Sequence, residues 1–328
     1  MKILYAIQGT GNGHISRARE IVPLLQTHGD LDILISGTQA DVKLAQEIKY
    51  QLHGFSFVFG KRGGVDHFKT WQNMNLLRFK NDMGKIPLNE YNLIINDFEP
   101  VTAWACKTQK LASVSLSHQA AFKSKKVPRP KTIDWGKLIL SHYAPTTHHV
   151  GFHFERYDDY IYTPVIRGEI RALTPTNLGH YTVYLPALSD LYLVKLLQKL
   201  PAVKWEIFSK HTQQGYQVGN IVVQPVHNEN FNKSLASCEG LFTGGGFEGP
   251  AEALFLGKKL LVAPMKFQYE QQCNAYALKQ LGIPVIWASN KDWFPILKQF
   301  VDTPQSFKFD FPDETANIVA KVVRDFAK

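Results

Sequence analysis

One pattern limits what this chain can fold into, and it occurs twice. A short, largely apolar run ends in glycines and leads into a helical pattern. The first copy is Ile3–Ile7, then Gly9-Thr10-Gly11-Asn12-Gly13-His14, then Ile15, Ala18, Val22 and Leu25 at helical spacing. The second is Gly240–Thr243, then Gly244-Gly245-Gly246, then a helix over Ala251–Leu256. A strand with no polar side must be covered on both faces. That favours a parallel sheet with helices above and below it.

The same rhythm predicts strands at Leu31–Ile35, Phe55–Phe59, Tyr91–Ile95 and Ala112–Leu116, with a helix over Gln39–Ile48. It lapses between about 157 and 180, where Pro164, Gly168, Pro175 and Gly179 mark a connector. It then resumes with strands at Tyr181–Leu185, Trp205–Phe208, Ile221–Val223, Leu260–Ala263 and Val285–Trp287, and helices over Leu191–Leu200 and Gln272–Leu281. Asp313 is expected to cap a closing amphipathic helix with Ala316, Val319, Val322 and Phe326 on one face. At 328 residues the chain suits two domains. The expected division is residues 1–160, a connector at 161–180, a second domain at 181–312, and a closing helix at 313–328 that crosses back to the first domain.

Composition narrows the setting. Cys106, Cys238 and Cys273 are too few and too scattered for a disulfide framework or a Cys-rich metal module. The leading apolar run is too short for a signal-peptide core, and no apolar run nears the ~18 residues needed to span a bilayer, so a cytoplasmic protein is expected. The net charge is +9, with the excess mainly in the first half, at Lys61-Arg62 through Lys85 and at Lys123, Lys125, Lys126, Arg129 and Lys131. Such stretches would suit an anionic membrane face, placing the protein peripherally on its inner side. They carry no nucleic-acid-binding module. Asp30-Leu31-Asp32 matches a metal motif only formally and lies at the wrong end of its strand. His148, His149 and His153 lack acidic or Cys partners in zinc spacing, so no metal site is expected.

The glycine turns carry the chemistry. Gly11, Asn12 and Gly13 open a helix whose free N–H groups suit an anion or an acceptor loop. The turn is not a dinucleotide fingerprint, because position 14 is His rather than Gly and the second strand runs into Ser36-Gly37-Thr38 rather than an acid. His14 stands where strands end, at a helix start whose dipole disfavours its charged form, and suits a general base. Asp97 ends the fourth strand on the same edge and could orient its imidazole. In the second half, Gly244, Gly245 and Gly246 can cradle phosphate, and Glu252 lies one turn into the helix. Glu270, Gln271 and Gln272 offer the carboxylate and amide mixture that sugar hydroxyls need.

Taken in order, Gly244-Gly245-Gly246, Glu252-Ala253-Leu254, Gly257-Lys258-Lys259, Pro264, Glu270-Gln271 and Asn274-Ala275 resemble the donor half of GT-B glycosyltransferases. The resemblance is nearest to inverting enzymes related to the N-acetylglucosaminyltransferase of peptidoglycan lipid synthesis, and Gly9–His14 is similar to that family's Gly-rich loop ending in Gly-His. It covers essentially the whole chain. It implies two Rossmann-like parallel-sheet domains facing a cleft, with the acceptor in the first and a UDP-sugar donor, but no cofactor, in the second. It assigns ribose to Glu252, the diphosphate to Gly244–Gly246, the donor sugar to Glu270 and Gln271 with Gln272 nearby, and the reaction centre to His14. The position eight before Glu252 is Gly244, whereas retaining relatives carry a glutamate there, so inversion is implied. Two alternatives remain: a UDP-sugar 2-epimerase on the same scaffold, and a non-catalytic nucleotide-sugar-binding protein.

Overall fold

The computed structural model describes residues 1–37, 44–54, 76–131 and 135–328. The first sheet is parallel throughout. Its strands are β1 (Lys2–Gln8), β2 (Asp30–Ser36), β3 (Tyr50–Leu52), β4 (Leu93–Asp97), β5 (Val114–Ser117), β6 (His148–Phe152) and β7 (Ile161–Tyr162), in the order β3-β2-β1-β4-β5-β6-β7. The second sheet holds β8 (His180–Tyr184), β9 (Lys204–Ser209), β10 (Tyr216–Val218), β11 (Ile221–Pro225), β12 (Gly240–Gly244) and β13 (Lys259–Ala263). Its order is β10-β11-β9-β8-β12-β13, parallel except for the β10–β11 hairpin.

Register explains the placement of the site. Ile7 pairs with Ile35 on one side and Asp97 on the other, so β1, β2 and β4 end together. In the second sheet Gly244 pairs with Ala263. Both glycine turns therefore leave the carboxyl edges of their sheets, where open α/β folds bind ligands.

Helix α1 (Asn12–Gln26) buries Ile15, Ala18, Ile21, Val22 and Leu25 against the first sheet, and buries Arg17 with them. Helix α2 is Leu76–Gly84. Helix α3 (Pro100–Gln109) is capped by Glu99, whose carboxylate accepts from Val101 N at 2.7 Å and Thr102 N at 2.6 Å. Helices α4 (Trp135–His142) and α5 (Gly168–Arg171) precede the second sheet. That sheet is covered by α6 (Asp190–Leu197), α7 (Asn228–Ser237), α8 (Glu248–Phe255), α9 (Tyr269–Gln280) and α10 (Phe294–Asp302). Helix α11 (Thr315–Phe326) returns to the first domain, where Phe326 packs on His148 at 4.7 Å and Lys328 N donates to Asn92 O. One apolar cluster joins Ile3, Ile15 and Phe154 of the first domain with Phe247, Leu254 and Val319.

Several local expectations need correction. The predicted strand Phe55–Phe59 and the basic run from Lys61 to about 75 lie outside the described residues. So does the first part of the predicted helix Gln39–Ile48, and residues 44–48 are not helical. The strand beside β2 is instead Tyr50–Leu52. Val285 makes a single bridge to Val262 rather than opening a strand, because the chain turns away after Ile286 N bonds Val262 O. Asp313 does not cap α11: the helix starts after Glu314, whose carboxylate pairs with Arg156. The first sheet also runs two residues past 160, through β7.

Candidate active site

His14 is the third residue of α1, and Gly11 before the helix has φ +105, which a side chain would resist. Its Nδ1 lies 2.8 Å from Asp97 Oδ1, at the end of β4. Asp97 is fully buried and acceptor-only when ionised, so the tautomer that bonds it carries its proton on Nδ1 and leaves a lone pair on Nε2, while Arg17 Nη2 lies 3.2 Å from the same Nδ1. Nε2 lies 3.5 Å from the Gln119 amide nitrogen, which itself donates to Glu270 Oε1 at 3.1 Å. The first domain's imidazole thus faces the second domain's Glu270 through one amide.

Asp97 has further partners that the sequence reading missed. Arg17 Nη2 donates to its two oxygens at 2.7 and 2.9 Å, Arg17 Nε donates at 3.1 Å, and Tyr5 OH donates at 3.3 Å. Burial alone would push the Asp97 carboxyl up, but Arg17 and His14 outweigh it and hold it below the usual carboxylate value. Arg17 Nη1 crosses to Glu248 Oε1 at 2.6 Å. Phe98, next after Asp97, has φ +57, and its ring lies parallel to His14 at 6.3 Å and against Tyr143 at 5.0 Å. A bulky non-glycine residue seldom adopts that backbone, and such residues cluster at functional sites.

His118 and Gln119, just past β5, form a second crossing. His118 Nδ1 meets Phe152 O and Nε2 meets Asn274 Oδ1, both at 2.8 Å, and its ring stacks on Phe247 at 3.8 Å. Asn274 Nδ2 in turn donates to Gly245 O at 3.1 Å. Their position directly after a strand at the site edge was the readable signal.

In the second domain the predicted residues have protein partners that the residue order did not show. Gln271 Oε1 accepts from Gly245 N at 3.3 Å and Met265 N at 3.0 Å, so that oxygen ties down the glycine turn. Gln272 is half-buried on the next position of α9. A Cβ placed on Gly246 would meet nothing within 4 Å, so the open space of the turn lies there. Glu252 is only 3% exposed. Arg167 holds both its oxygens, Nε at 2.5 Å and Nη2 at 2.8 Å, and also reaches Glu169, Asn228 and Asn232. Burial pushes the Glu252 carboxyl up, and Arg167 opposes that without prevailing.

Residues 1–303 match glycosyl transferase family 1. The chain belongs to that family. Its activity class is therefore sugar transfer. The fold is GT-B. A glycotransferase of kitacinnamycin superposes with a TM-score of 0.57 at 14% identity, covering 99% of this chain and 94% of its own. MurG of Acinetobacter baumannii gives 0.58 at 15%, covering 98% and 99%. Arabidopsis thaliana UGT89C1, solved with UDP, gives 0.57 at 10%, covering 99% and 94%. No curated protein matches the chain.

The other predicted features separate from this centre. Asp32 accepts from Lys49 Nζ and Tyr91 OH, both at 2.7 Å, at the far end of the sheet. His153 is buried, and its Nδ1 accepts from Phe154 N at 2.9 Å. Among the described residues no group of three or more His, Cys, Asp or Glu is placed to hold a metal ion. The basic stretch after Phe122 is largely engaged locally: Lys123 on Ser141 O, Lys126 on Asp158, and Arg129 on the carbonyls of Phe122 and Ser124. No described helix is long and apolar enough to cross a membrane.

Proposed function

We propose that the protein transfers a hexose or N-acetylhexosamine from a UDP-sugar to an acceptor hydroxyl with inversion at the anomeric carbon. The observation that carries this reading is the His14–Asp97 contact at 2.8 Å, which leaves Nε2 facing the cleft beside Glu270 and Gln119. His14 Nε2 takes the acceptor proton as the hydroxyl oxygen attacks, and Asp97 steadies the resulting imidazolium. The UDP leaving group departs toward the glycine turn before α8, whose N–H groups and dipole meet its charge. Gly246 lines that space, and Glu270 lies where the donor sugar would meet the base. Each oxygen of Glu252 keeps a lone pair beyond Arg167, and the ribose hydroxyls are assigned to these.

A structural neighbour solved with UDP supports the choice of nucleotide. A lipid or lipid-linked acceptor is proposed from the exposed Leu76 and Leu77 on α2 and Leu138 on α4, which flank the basic stretches. The reaction is proposed to need no metal, its leaving-group charge being met by the turn.

The test is thermal-shift titration with UDP, GDP and dTDP, followed by transfer assays with the UDP-sugars. A shift with UDP, an anomerically inverted product, and loss of transfer but not of UDP binding in His14→Ala are expected. A shift with no nucleotide would overturn the donor reading. Epimer formed from UDP-sugar without acceptor would replace transfer with epimerisation. Anionic vesicles should retain the protein in a salt-sensitive manner, and absence of binding at any salt would remove the membrane acceptor.

A further inference from the structure

Arg17 faces two carboxylates that belong to different domains. Nε and Nη2 grip Asp97, while Nη1 reaches Glu248, the first residue of α8. The Arg17 side chain is 3% exposed and the Glu248 side chain 24%. Glu248 lies over Gly13 in the first turn of α1. A Cβ on Gly13 would stand 2.5 Å from its Oε2. The absence of a side chain at residue 13 is what lets the carboxylate descend to Arg17.

We propose that Arg17 and Glu248 are positioning residues that couple closure of the cleft to the hold of Asp97 on His14. This rests on the reading of His14 as the base. With the domains closed, one guanidinium serves two carboxylates, so the group keeps a net negative charge and Asp97 binds the Nδ1–H of His14 firmly. With Glu248 withdrawn, the guanidinium charge falls on Asp97 alone. That pair is then neutral, and its grip on the imidazole slackens. Among the described residues, Arg17 Nη2 also stands 3.2 Å from Nδ1, Tyr5 donates to Asp97, and Gln119 with Glu270 lies beside Nε2. The base is thus fully oriented only when the donor domain has docked.

The test reads His14 directly, by NMR of the full chain with ¹⁵N-labelled histidine and with the His14 signals assigned by their loss in His14→Asn. In the wild type the Nδ1–H should exchange slowly with water. Glu248→Gln removes the charge, and Gly13→Ala keeps the charge but pushes the carboxylate off Arg17 while favouring the helix. Both should speed exchange about tenfold, as expected for a weakened charge-assisted hydrogen bond. Glu248→Asp should fall between Glu248→Gln and the wild type. A merely structural contact would lower the melting temperature and leave the exchange rate unchanged, and that result would overturn the proposal. The measurement needs neither donor nor acceptor. If transfer from a UDP-sugar survives His14→Asn, the base reading fails; the exchange rates test the Arg17–Glu248 coupling separately from that failure.

Discussion

Two buried arginine–carboxylate clusters flank the cleft, and they are built for different work. In the first domain Asp97 collects Arg17, His14 and Tyr5, and its carboxyl is held low. At the junction Glu252 collects Arg167, its one side-chain donor among the described residues, with Glu169 and Glu248 nearby, and its carboxyl is pushed up. Both carboxylates are desolvated. The number of donors against the number of neighbouring acids decides which way each one moves. The first cluster keeps a charge beside the base; the second stores a carboxylate that can shed its charge when its arginine is withdrawn.

The largest effect that would separate the clusters is kinetic. Asp97→Asn should cut kcat about 10³- to 10⁴-fold with donor affinity nearly unchanged, by analogy with loss of the orienting carboxylate in a catalytic triad. If kcat stays within tenfold, Asp97 is not an orienting residue. Next in size is folding stability. Arg17→Met strands a carboxylate held ionised and should cost about 3–5 kcal/mol in denaturant unfolding. Arg167→Met should cost visibly less at pH 5, because Glu252 can protonate; equal losses would erase the distinction.

Affinity comes third. Glu252→Gln, and separately Gly246→Ala, should weaken UDP binding about tenfold by calorimetry, with kcat far less affected. Unchanged affinity in both would move the donor elsewhere. The smallest effect is a slope with pH. A depressed carboxyl stabilises the fold above its unfolded value of about 3.9, and the gain is lost as pH falls through the lower folded value. The stability gap between wild type and Asp97→Asn should therefore widen as pH rises from about 2 to 4. A raised carboxyl has the opposite sign. Its cost is absent below the unfolded value of about 4.3 and grows as pH rises toward the folded value. The gap between wild type and Glu252→Gln should therefore shrink from about pH 4 upward. Parallel slopes would show that the two clusters are electrostatically alike.

Much of this was readable in the residue order. Uninterrupted apolar runs such as Ile3–Ile7 require a covered parallel sheet, and glycines after β1 and β12 announce the edges where ligands bind. His14 and Asp97 were readable as candidates because one opens the helix after the glycine turn of β1 and the other closes β4 on the same sheet edge. Arg17 was not. A cation within an apolar helical stripe is ordinarily a solvated residue, and only a buried carboxylate 80 positions away makes its burial sustainable. Glu248 was hidden by its neighbours, since beside three glycines it reads as part of a phosphate turn.

Local order therefore determined most of the central strands, the glycine turns and the half of the molecule to which each candidate belongs, but not β6, β7 or β10, because period and turn chemistry act over a few residues. Only the tertiary structure decided that Gln271 braces the turn, that Arg167 occupies Glu252, and that one guanidinium spans both domains from Asp97 to Glu248. Those choices depend on which charges share a desolvated space. Packing sets that, through contacts such as Arg17 with Glu248 that are 231 positions apart in the chain.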